Sequence, residues 1–173
     1  PAPRRSRTAH QDIQSSDVLE TQFRLLNANP QKMAFAEVYQ ALQTGVVDGH
    51  ENTWSNTYSQ KFHEVQKTIA QTNHGVLDYM VVTNAKWWDG LPADIRAGLK
   101  QAMDEATTYA NTMANQFNER DRKLIDESGK ARIQVLTKDD VAAWRKAMEP
   151  VWQKFEKDIG KDLIDAALKA NNP

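Results

Sequence analysis

The chain contains no cysteine among its 173 residues. Disulfides, thiolate nucleophiles and thiolate metal sites are therefore excluded in either a reducing or an oxidising compartment. Long apolar runs are also missing: the longest, such as Tyr79–Val82, are a few residues, whereas a membrane-spanning helix needs ~20. The chain is therefore not expected to insert into a membrane itself. Nor is there a surplus of positive charge, since 22 Lys and Arg stand against 23 Asp and Glu for a net charge of −1. A nucleic-acid partner has no electrostatic support beyond the short basic start Arg4, Arg5 and Arg7. No nucleophile elbow, phosphate loop, dinucleotide fingerprint or His-Glu-x-x-His helix occurs, so the common catalytic and cofactor-binding patterns are absent.

Glycine and proline are scarce, at 7 and 6 residues, and they fall where periodic segments end. Residues 1–12 read as a disordered or non-native tail, and 13–173 as the folded portion. Asp17–Leu26 carries apolar residues at helical spacing behind Ser16 and Asp17, which suit a helix start. A second short helix is predicted over Phe35–Thr44, with Gly45 supplying a left-handed stop. Ile13–Gln14 and Lys32–Phe35 read as brief strands of an α/β unit, and Val46–Val47 as a strand entering a polar loop. Trp54, Tyr58, Phe62 and Val65 make the stripe of one helix from Thr53 to about Gln66. Thr68–Thr83, rich in β-branched residues, reads as one or two strands.

The strongest periodicity runs from Leu91 through Leu99, Met103, Ala106, Ala110, Met113 and Phe117 to Leu124, which predicts one long helix. Pro92 suits its first turn, and Gly129 its end. Ala131–Leu136 reads as a strand. Thr137 and Asp140 then form an acidic capping box for a last helix whose stripe includes Val141, Trp144, Met148, Val151 and Phe155. Pro150 predicts a kink or break near Glu149, and Gly160 a second break. The fold class expected is α/β, helix-rich, with a few short strands and long C-terminal helices.

Groups able to do chemistry are few. Asp48, His50 and Glu51 share one loop, and His63, Glu64 and His74 would complete a metal site only if the fold converged there; their spacing matches no metal signature, and no metal is expected. The paired carboxylates Asp126–Glu127, Asp139–Asp140 and Asp158 with Asp162 fit solvated or helix-capping roles. Trp87–Trp88 offers an aromatic platform, with Trp88 better explained as a core anchor.

The stretch Pro30–Asn52, reading PQKMAFAEVYQALQTGVVDGHEN, resembles the signature region of the solute receptors of tripartite ATP-independent periplasmic (TRAP) transporters, the DctP-like family. The resemblance continues through Gln60–Lys67, Thr72–His74, Trp88 and Leu91–Pro92 to the C-terminus. It implies the C-terminal part of a two-lobed periplasmic receptor, a binding protein and not an enzyme. Such a receptor closes on a small organic acid, here a C4-dicarboxylate, and hands it to a sodium-coupled membrane permease. It further implies that Phe35, Glu51 and Asn52 contact the ligand, with Trp54 as a wall and Ser15 adding a hydroxyl. Asn52 can donate its amide to a carboxylate, and Glu51 can accept from a ligand hydroxyl. One position departs from the family: an arginine that meets the ligand carboxylate precedes Ile13 in such receptors, and here Asp12 occupies it. A planar guanidinium suits a carboxylate, and an aspartate repels one. A chain lacking this clamp and the second lobe would bind weakly or not at all; the alternative from a different class is a helical interaction or dimerisation module.

Overall fold

The structure is a computed structural model that describes residues 9–13 and 16–170. Two small parallel sheets anchor it. In the first, strand β1 (His10–Ile13) lies between β2 (Asn29–Lys32) and β3 (Gly49–His50), in the order β2-β1-β3. Asp12 pairs across the ladder with Gln31 on one side and His50 on the other. In the second sheet β4 (Thr68–Gln71) pairs with β5 (Arg132–Val135), Ile69 facing Ile133. Parallel pairing demands long crossovers. Helix α1 (Asp17–Leu25) crosses from β1 to β2, and the long α6 (Ala93–Glu127) spans the interval from β4 to β5.

Several boundaries differ from the sequence expectation for identifiable reasons. The central strand begins at His10, so residues 10–12 belong to the sheet although the sequence placed them in a tail; residues 1–8 lie outside the described residues. Strand β2 sits at Asn29–Lys32, ahead of the expected Lys32–Phe35. Its Pro30 is tolerated because β2 is an edge strand, where a missing donor costs no ladder bond. The Phe35–Glu37 segment is instead one 3₁₀ turn leading into α2 (Val38–Thr44), which ends at Gly45 with φ 74° as anticipated. Beyond Gln71 the expected strand does not continue, and Val76, Tyr79, Met80, Val81 and Val82 are exposed.

The single helix expected over 53–66 is two, α3 (Trp54–Ser59) and α4 (Phe62–Val65). Lys61 takes φ 59° between them, a left-handed conformation that costs a non-glycine residue free energy. Burial offsets that cost: the turn swings Phe62 into the core, where it is 0% exposed among Val38, Ala41, Leu42 and Val47. Its ring meets those of Phe35 and His50 edge-on, at centroid distances of 5.8 and 4.6 Å.

Helix α5 (Ala85–Asp89) precedes α6, and Trp88 on it is half-buried rather than part of the core. Helix α7 (Lys138–Ile159) starts at the expected capping box: Asp140 N donates to Thr137 Oγ1 at 3.2 Å and Thr137 N to Asp140 Oδ2 at 3.0 Å. It runs through Pro150 without the expected break. Both Pro150 and Lys146, whose carbonyl loses its helical donor, are exposed, so water can satisfy that carbonyl. The break comes at Gly160, φ 97°, before α8 (Lys161–Ala170).

Among the buried residues, Asp12 is the anomaly, 6% exposed in the middle of the first sheet. Burial, with a lesser contribution from the Glu51 charge, raises its carboxyl to about 6. Burial acts oppositely on His50, lowering its imidazole to about 4 against a smaller opposing pull from Glu51.

These two groups set opposite pH dependences. Folding holds a proton on Asp12, so its contribution is fully present below about pH 4 and is lost as pH rises through 6. His50, neutral when folded, costs stability as pH falls from about 6.5 to 4. Asp12→Asn should therefore gain on the parent by about 1–3 kcal/mol at pH 8 relative to their difference at pH 3.5, read from denaturant unfolding at both pH values. Phe62→Ala should cost about 3–5 kcal/mol in the same assay, because the emptied position is enclosed by both the helices and the sheet.

Candidate functional site

The short strand β3 delivers His50, and the chain then turns outward through Glu51, Asn52 and Thr53 to start α3. Thr53 caps that helix, accepting from Asn56 N at 3.2 Å. Asn52 braces the turn with its carbonyl oxygen, which accepts from Thr53 N at 3.0 Å and from Asn56 Nδ2 at 2.6 Å. The amide NH₂ of Asn52 is thereby oriented as a donor. From α6, Asn118 Oδ1 accepts from the backbone amides of Trp54 and Ser55 at 3.0 and 3.3 Å, locking α3 to the long helix.

Opposite this loop runs the chain leaving β4. Together they enclose a cavity of about 220 Å³ lined by Glu51, Asn52, Trp54, Asn73, His74 and Asn118 among others. His74 Nε2 lies 3.6 Å from Glu51 Oε2, while Glu51 Oε1 is buried with no hydrogen-bond partner among the described residues. His74 Nδ1 is 2.6 Å from Thr72 Oγ1. The Trp54 ring carries the Arg122 guanidinium 5.6 Å from its centroid, and Arg122 Nε donates to Gln71 Oε1 at 2.9 Å. The cavity thus offers amide, hydroxyl and imidazole donors beside one carboxylate and an indole. Such a set suits a small, polar, hydrogen-bonding ligand, and Lys and Arg are not among its lining residues.

Of the residues singled out in the sequence, Glu51, Asn52 and Trp54 come together here. Phe35 does not line this cavity; it sits on the 3₁₀ turn, 45% exposed, with its ring against Phe62. Ser15 lies outside the described residues. Of the metal-ligand candidates, Glu51 and His74 approach each other, whereas His63, Asp48 and Glu64 take other partners. His63 is buried and stacked on Tyr58 at 5.4 Å, Asp48 Oδ2 accepts from His10 N at 2.8 Å, and Glu64 pairs with Lys130 at 2.8 Å. No cluster of three or more such groups able to hold a metal ion occurs among the described residues. Asn118 and Arg122 carry no mark in the sequence, and Asn73 figures there only within the resembling Thr72–His74 segment. Asn118 and Arg122 stand over 50 residues from their partners, and no local pattern marks them.

Residues 12–158 match the family model of the bacterial extracellular solute-binding proteins, family 7 (DctP). The chain is 54% identical over 159 residues to the C4-dicarboxylate-binding periplasmic protein DctP of Vibrio cholerae, covering 92% of this chain and 48% of that protein. It is 50% identical to the protein of the same name from Rhodobacter capsulatus, over 91% of this chain and 47% of the relative. A crystal structure of a TRAP periplasmic solute-binding protein from Shewanella oneidensis with bound succinate superposes with a TM-score of 0.92 at 47% identity, over 95% of this chain and 54% of that one. A Pseudomonas aeruginosa receptor with bound L-malate gives 0.81 at 40% identity, over 84% and 51%. The chain therefore spans about half the length of the relatives it matches. With the match extending from the central strand through the last turns of α7, the chain belongs to the family 7 extracellular solute-binding proteins.

Proposed function

We propose that this chain is one half of the binding cleft of a periplasmic TRAP receptor for a C4-dicarboxylate. The observation that carries the reading is the alliance of Glu51, Asn52, Trp54 and His74 around one cavity, in a chain 54% identical to a C4-dicarboxylate-binding protein. In this reading the Asn52 NH₂ meets a ligand carboxylate, Trp54 walls the cavity, and Glu51 accepts from a ligand hydroxyl or orients His74. Phe35, on its exposed turn, and Ser15 complete the set of contacts in this reading. The protein binds and releases its ligand without chemistry, uses no cofactor, and passes the ligand to a TRAP membrane permease. Relatives named as binding proteins, two of them seen with succinate and L-malate, support this reading.

Asp12 limits what this chain achieves alone. It neighbours Glu51 and is ionised above about pH 6, so at neutral pH it opposes an incoming carboxylate where a cation would attract one. Calorimetry at pH 7.5 with succinate, L-malate and fumarate should show affinities no better than about 1 mM, roughly −4 kcal/mol. Asp12→Arg should improve the best of them at least ~10-fold, a gain of about 1.4 kcal/mol. Micromolar binding by the unaltered chain would sink the half-cleft account, and binding of no dicarboxylate by the arginine variant would sink the ligand class.

A further inference from the structure

The loop that brings Glu51 to the cavity has a second acid for a neighbour. Asp12 is 6% exposed, and its strand runs between β2 and β3, so its burial is made within the first sheet and nothing packed outside that sheet reduces it. The Glu51 charge acts on it directly. Glu51 has 12% of its own side chain exposed; its Oε2 lies 3.6 Å from His74 Nε2, and its Oε1 is buried with no hydrogen-bond partner among the described residues. A dicarboxylate in that cavity adds two negative charges to a pair of acids.

The charged groups around these acids are committed elsewhere. On β2, Lys32 Nζ sits 3.0 Å from Asp17 Oδ1 and 2.9 Å from Glu20 Oε2, and on α1 Arg24 pairs with Glu20 at 2.9 Å. On α6, Arg122 Nε donates to Gln71 at 2.9 Å. Asp48, just before β3, accepts from the His10 amide at 2.8 Å, and His10 shares with Asp12 one face of β1. His50, the ladder partner of Asp12, is kept neutral by burial, which lowers its imidazole to about 4. An incoming dianion is therefore answered by a proton taken up at the acids themselves or at His74 against Glu51. Of these groups Asp12 is the most deeply buried, and burial together with the Glu51 charge already favours its neutral form.

We propose that this chain takes up a proton from solvent with each dicarboxylate it binds, and that the Asp12 carboxylate beside Glu51 receives it and becomes the neutral acid. The proposal rests on the dicarboxylate reading above. A dianion close to a buried carboxyl strengthens that carboxyl's hold on its proton, and by reciprocity the proton strengthens the hold on the dianion. The chain consequently loads its ligand in acidic surroundings and releases it in less acidic ones.

Fumarate is the probe, because both its carboxyls stay ionised over the range used. An NMR titration of the 173-residue chain should show affinity rising about tenfold from about pH 7.5 to about pH 5.5. Calorimetry in two buffers of unlike ionisation enthalpy, at about pH 6.5, should register uptake of roughly 0.7 proton per fumarate. Asp12→Asn should bind at both ends of the range at least as tightly as the parent does at the acidic end, with no proton uptake, while His74→Gln should keep the pH dependence. Circular dichroism at each pH checks that every form is folded. Equal fumarate affinity across the range, or an Asp12→Asn chain with undiminished pH dependence, overturns the proposal and leaves the dicarboxylate reading standing. Refusal of fumarate, succinate and L-malate at both ends of the range by the parent, Asp12→Asn and Asp12→Arg alike overturns that reading and the proposal with it.

Discussion

Everything in the first half of the molecule depends on the ladder that β1 makes to both neighbours. Four residues, His10–Ile13, pair with β2 and β3 at once, and their register decides where the loop after His50 leaves the sheet. Parallel strands cannot be joined by tight turns, so α1 and α2 fill the crossovers, and the core of Val38, Leu42, Val47 and Phe62 forms where α2 and α4 come together. The site inherits its rigidity from this arrangement. Glu51 and Asn52 directly follow a strand, and Thr53 caps the helix that comes next.

The second constraint is the clamp between α3 and α6. Asn118 occupies the amides that begin α3, so that helix start is satisfied by protein rather than left as an anion site. In the proposed reading, recognition in the cavity then falls to side chains, mainly Asn52, Asn73 and His74 around Glu51. With Asp12 buried in the sheet and interacting with Glu51, and no lysine or arginine in the lining, the charge of this half opposes anions, although its donors suit a small polar acid. Geometry and charge thus point in different directions at one site, and Asp12 is the residue where they diverge.

Much of the helical skeleton was legible from periodicity and caps. The α6 stripe, the Thr137–Asp140 box, Gly45 and Gly160 all act locally, through hydrogen bonds or backbone angles within a few residues, and therefore leave a mark in the sequence. The errors share the opposite cause. The split at Lys61 is driven by burial of Phe62 among residues up to 24 positions away, and continuity through Pro150 by water reaching an exposed carbonyl; neither has a local signature. Strand edges slipped by a few residues because three- and four-residue strands carry too little alternation to set a register.

By itself the sequence determined the α/β class, the long helices and their caps, the absence of thiol chemistry, and the loop holding Glu51 and Asn52. Each follows from short-range stereochemistry, composition or a contiguous motif. Only the tertiary structure decided that His74 and Asn118 join that loop, that Phe35 faces Phe62 outside the cavity, and that His63 is core. Those outcomes depend on which distant surfaces exclude water from one another, and that is settled by the packing of the whole chain rather than by any segment of it.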